Sequence, residues 1–150
     1  MSIKDLVIEL LVQRGMIQWS IKLVEKSRLG QDIHIFSLDF ASALLANFLH
    51  SYTTLDYLEK QPRLTKEIMN SLLSMLKDAA TIPTSVLMHI LICLSYLSKE
   101  RFSQALDETH FVDKISDFVE LYSQLNPQAA VNSSSQVNQN GKSSPLPLTD

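Results

Sequence analysis

The sequence predicts an all-α protein: a short right-handed solenoid of stacked helices, followed by a disordered C-terminal tail. Three observations carry that expectation. Ile17, Ile21 and Val24, then Ile68, Leu72, Met75 and Leu76, then Phe111, Ile115, Phe118 and Val119 repeat the i, i+4, i+7 spacing that gathers apolar side chains on one helix face. Glycine occurs three times in 150 residues, and Val and Thr are few, so the turns and β-branched runs of a sheet are missing. From Asn126 the composition shifts to Ser, Asn, Gln and Pro, with too little apolar content to offset backbone ordering. A folded domain over 1–125 and a disordered tail over 126–150 follow.

The elements read in order. Residues 2–13 form a helix of nearly continuous apolar character that Gly15 stops, because glycine adopts the left-handed conformation of a helix end at little cost. Residues 16–27 form the next helix, and 28–32 connect it onward with Gly30 as a second break. Residues 34–50 are apolar almost all round, which predicts a helix sandwiched between neighbours. Thr54 is read as the N-cap of a short helix over 55–60, which Pro62 ends. An amphipathic helix over 64–79 follows. Pro83 suits a first helical turn, and 84–99 is again apolar on most sides. Short and long helices over 101–108 and 111–124 complete the domain.

The recurring pattern starts at Ile17, Ile68 and Phe111, copies 51 and 43 residues apart, which falls around the period of HEAT and armadillo arrays. The order long buried helix, short helix, amphipathic helix occurs in full over 34–79 and 84–124 after a partial copy, giving about two and a half repeats.

Ala43-Leu44-Leu45-Ala46-Asn47-Phe48-Leu49 resembles the first-helix signature of armadillo repeats, and Ile90 to Leu97 takes the same place in the next unit with Ser95 where Asn47 stands. Arg14-Gly15-Met16-Ile17 followed by Leu23-Val24 looks like the turn and third helix of such a unit. Residues 36–48 are also similar to the terminal armadillo segment of the LisH-and-armadillo proteins of ciliary basal bodies. That resemblance implies a cytoplasmic scaffold or adaptor at the basal body or centriole, acting in cilium assembly and stability and in ciliary signalling of the Hedgehog type. It also implies that the third helices line a groove for peptide or helical segments of other proteins. The outward positions on that reading are Gln18, Trp19 and Lys22, then Met69, Asn70 and Leu73, then Lys114 and Asp117. Trp19, the only tryptophan, is a natural anchor. Asn70 is placed to hydrogen-bond a peptide backbone, although the regular Trp and Asn ladder of the nuclear-import branch is missing.

No catalytic constellation, cofactor site or metal site is expected. His34, His50, His89 and His110 are scattered and none pairs in sequence with a motif-placed Ser, Cys or Asp. His89 and Cys93 share a helix face, but two ligands do not make a zinc site, and Leu91, Ile92 and Leu94 point to a buried thiol. The three glycines lie too far apart for a phosphate loop. A net charge of −3 without a clustered basic face gives no reason to expect nucleic acid. A single cysteine excludes an internal disulfide and suits a reducing, intracellular compartment. Charges through the first 25 residues exclude a signal peptide, and no apolar run is long enough for membrane insertion. Acidic residues from Asp107 to Glu120 read as solvated surface. Leu6, Val7, Ile8, Leu10, Leu11 and Val12 crowd the first helix, which predicts contact with a further repeat or a second copy. The alternatives to a ciliary adaptor are therefore an oligomerisation module and a generic cytosolic armadillo adaptor.

Overall fold

The computed structural model describes residues 2–28 and 35–125. Among the described residues are eight α-helices and no strand: α1 Ile3–Gln13, α2 Met16–Arg28, α3 Ile35–Leu49, α4 Tyr52–Glu59, α5 Pro62–Met75, α6 Thr84–Leu97, α7 Ser103–Glu108 and α8 Phe111–Leu125. A 3₁₀ turn over Leu76–Asp78 continues α5, and another over Glu100–Phe102 leads into α7. The connector at 29–34 and the tail from Asn126 lie outside the described residues. Two compact units are present, Met1–Ile115 and Ser116–Asp150; the residues of α8 fall in both.

Helix ends follow local chemistry. At the start of α1 the Ser2 hydroxyl accepts the Asp5 N–H while the Asp5 carboxylate accepts the Ser2 N–H, a capping box that satisfies two donors the helix leaves unpaired. Gly15, at φ +83°, turns the chain into α2. His110, at φ 55°, makes the corresponding turn into α8 without a glycine, in the region where a side chain is tolerated rarely.

The boundaries at Ser51 and Pro62 differ from expectation, whereas α6 begins at Thr84 as expected. α4 begins at Tyr52 with Ser51 in the N-cap position, and Thr54 is buried in the first turn instead of capping it. The helix starts early because Ser51 already has the extended backbone of a cap. Pro62 does not end α4. It is the first residue of α5, the position where a missing N–H costs nothing. Pro83 precedes α6 as its N-cap.

Within the first unit α3 packs against both α2 and α6, and α5 packs against α2, α4, α6 and α7. Ile17, Leu45, Leu49, Leu58, Leu72 and Ile90 are fully buried there, each contributing roughly 1.5–3 kcal/mol of transfer free energy. All seven apolar positions of the first two repeated patterns are in this core. α3 is sandwiched as its composition predicts, yet it keeps a wet side: Phe40 is 61% exposed and Asn47 faces solvent. Met88 and Ile92 of α6 are exposed as well. In the third pattern Phe111 is buried and Ile115 half-buried. Within the second unit the rings of Phe118 and Tyr122 meet at 5.7 Å, while Val119 is exposed.

Candidate protein-binding grooves

α2 buries Ile17, Ser20, Ile21 and Val24, so its opposite side carries Trp19, Lys22 and Lys26 to solvent. α5 buries Ile68, Met69, Leu72, Leu73 and Met75 and leaves Glu67 and Asn70 exposed. Where the two helices meet they form a groove of about 380 Å³ lined by Gln18, Ile21, Lys22, Ile68, Asn70 and Ser71. Three of the residues expected to share a surface, Gln18, Lys22 and Asn70, are brought together here. Gln18 is half-buried, and its Oε1 is buried without a hydrogen-bond partner.

The other expected residues divide. Trp19 is 47% exposed on α2 but does not line the groove. Met69 and Leu73, expected to point outward, are buried. The buried stripe of α5 is wider than the i, i+4, i+7 alignment suggested, because α7 packs on its flank and the Thr109 hydroxyl sits 3.9 Å from the Met69 sulfur. Lys114 is half-buried in the first unit, and Asp117 is exposed in the second.

Sequence reasoning missed two polar pairings between α3 and α6. Ser42 Oγ lies 2.8 Å from His89 Nδ1, and Asp39 Oδ1 lies 3.7 Å from the same nitrogen. Both partners approach one ring nitrogen and the Ser42 hydroxyl is buried, so the set lacks the serine–His Nε2 and carboxylate–His Nδ1 geometry of a nucleophilic triad. His50 Nδ1 lies 2.8 Å from the Tyr96 hydroxyl just past the end of α3. These pairs join residues 46 or 47 positions apart, a separation that no local spacing reveals. Cys93 is buried as expected, and burial pushes its thiol up to about 12.

Charge-assisted bonds fix the outer faces. Arg101 donates to Asp56 at 2.8 Å and approaches Glu59 at 3.6 Å, and the Asp56 bond holds the guanidinium above its ordinary range. Glu108 accepts from Gln104 and pairs with Lys66 at 3.2 Å; the Gln104 bond first, then Lys66, hold its carboxyl below the usual range. Exposed apolar side chains concentrate on α1, where Ile3, Leu6, Val7, Leu10 and Leu11 all face water. Among the described residues no helix is long and apolar enough to cross a membrane, and no group of three or more His, Cys, Asp and Glu could hold a metal ion.

No protein-family model, curated protein or solved structure matches the chain.

Proposed function

We propose that the chain is a non-enzymatic scaffold or adaptor, a short armadillo-type solenoid that holds peptide or helical segments of other proteins in the groove between α2 and α5. The observation that carries this reading is the meeting of Gln18, Lys22 and Asn70 around one groove with an apolar base at Ile21 and Ile68. Amide groups suit the backbone of a bound segment, and a few polar groups over apolar side chains is the usual composition of a binding cleft. A setting at the ciliary base belongs to this proposal on the resemblance of residues 36–48.

The test is proximity labelling in ciliated cells with the tagged chain and with its Lys22→Glu/Asn70→Ala variant. Both positions are exposed, so the variant is expected to melt like the parent. Enrichment of neighbours at the basal body, lost in the variant by about tenfold, is the expected outcome. An unchanged set of neighbours would overturn the groove assignment, and a diffuse cellular distribution would remove the ciliary setting.

A second reading has its own observation. The exposed apolar face of α1 favours an oligomerisation module, in which residues 3–11 close against a second copy. Sedimentation of the chain against a Leu6→Glu/Leu10→Glu variant separates the two: a dimer abolished by the variant supports assembly, and a monomer in both removes it.

A further inference from the structure

Two cavities meet along the seam between α3 and α6. One, of about 350 Å³, is lined by Lys4 and Asp5 of α1, by Asn47 and His50 around the end of α3, by Tyr96 of α6 and by Lys99 just beyond it. The other, of about 360 Å³, runs past Ala43, Ala46 and Ile92. Asn47, His50 and Tyr96 line both, so the two cavities adjoin at these residues and together make a track along the seam. The His50–Tyr96 bond and the approach of their rings to 5.3 Å hold the middle of the track in place.

The charge at one end is only partly compensated. Lys4 and Lys99 are exposed, and neither ammonium has an ion-pair partner among the described residues. Asp5 also lines this end, but its carboxylate is already engaged by the Ser2 N–H and hydroxyl at 3.3 and 2.7 Å and by the Thr53 hydroxyl at 3.4 Å. Two free cations against one engaged anion make this mouth locally positive on a chain whose net charge is −3. Next to it stands the Asn47 amide, exposed and without a hydrogen-bond partner among the described residues.

We infer that this seam binds an extended acidic segment of a partner polypeptide, with its carboxylates between Lys4 and Lys99 and its backbone along Asn47. Carboxylates supply the charge that the two ammoniums lack, through bonds roughly twice as strong as neutral ones. A small anion would need only the lysine end. The track continues instead from Ser51 back to Ala43, about 12 Å at the helical rise, which is the length of about four extended residues. Its small side chains, Ala43 and Ala46, leave room for a peptide backbone, and the exposed Ile92 offers an apolar contact. The site is separate from the α2–α5 groove, and its failure or success leaves that reading where it stands.

The test uses the full chain and three probes: a fluorescein-labelled peptide of one leucine and five glutamates, the same peptide with glutamines, and inorganic phosphate. Fluorescence anisotropy measures affinity and ¹⁵N NMR locates binding. The acidic peptide is expected to bind, more weakly as salt rises, and to shift the Asn47 side-chain amide together with the backbone of Ala43, Ile92, Tyr96 and Lys99. Lys4→Glu and Lys99→Glu are each expected to weaken it about tenfold with unchanged melting, and Asn47→Ala to weaken it without altering the salt dependence. Equal binding of the glutamine peptide, or wild-type affinity in both charge-reversed variants, would overturn the inference. So would no binding of the acidic peptide, or phosphate reproducing its shifts at Ala43 and Ile92.

Discussion

Cys93 sits on α6 between the buried Ile90 and Leu97, and burial raises its thiol to about 12. The thiolate is the reactive species, so at pH 8 the folded chain presents about 10³-fold less of it than an unfolded chain with an ordinary thiol. Reaction with a thiol-specific disulfide reagent is expected to be slower by at least that factor in buffer than in denaturing urea; comparable rates would place the sulfur at the surface. The sequence supports this reading because Leu91, Ile92 and Leu94 surround the cysteine on both sides. It could not reveal the partners of His89, since Ser42 lies on another helix and is made a neighbour only by the packing of α3 on α6. Met69 and Leu73 failed for the related reason that the flank of a helix belongs to whichever element packs there, here α7. Gln18, Lys22 and Asn70 were placed together because each lies one or two positions from a strongly periodic apolar residue that fixes its side of the helix.

The eight helices were legible because long apolar periodicity, glycine and proline act locally, whereas the ends depended on details that periodicity does not carry. α4 shows the difference. Its existence follows from Leu55 and Leu58, both buried, but its start at Tyr52 follows from the extended backbone of Ser51. Thr54 consequently turns inward, and its hydroxyl is buried without a hydrogen-bond partner. An unpaired buried hydroxyl costs about 1–3 kcal/mol, so the nearly isosteric Thr54→Val is expected to stabilise the chain by about 1 kcal/mol. Urea unfolding measures it through a raised midpoint at constant slope. A lowered midpoint would mean that the hydroxyl is bonded in solution.

Among the described residues, two carboxylates with lowered pKa join neighbouring groups by hydrogen bonds: Asp5, through Ser2, and Glu108, through Gln104 and then Lys66. A carboxyl depressed in the folded state contributes stability that is present above its unfolded value, near 4, and is lost as pH falls through the folded one. The melting temperature is therefore expected to hold from pH 7 to about 5 and to decline below about 4, with a shallower decline in Asp5→Asn/Glu108→Gln. Identical acid limbs in parent and variant would show that these bonds contribute nothing. The all-helical character was fixed by composition, whereas a solenoid arrangement is a matter of how successive helix layers are disposed, which apolar periodicity within single helices does not encode. The chain has a single indole, and at 47% exposure on the outer side of α2 it already meets solvent in the folded state. Its emission is consequently a poor gauge of unfolding and a direct one of anything that settles on that helix, a built-in reporter that needs no attached dye.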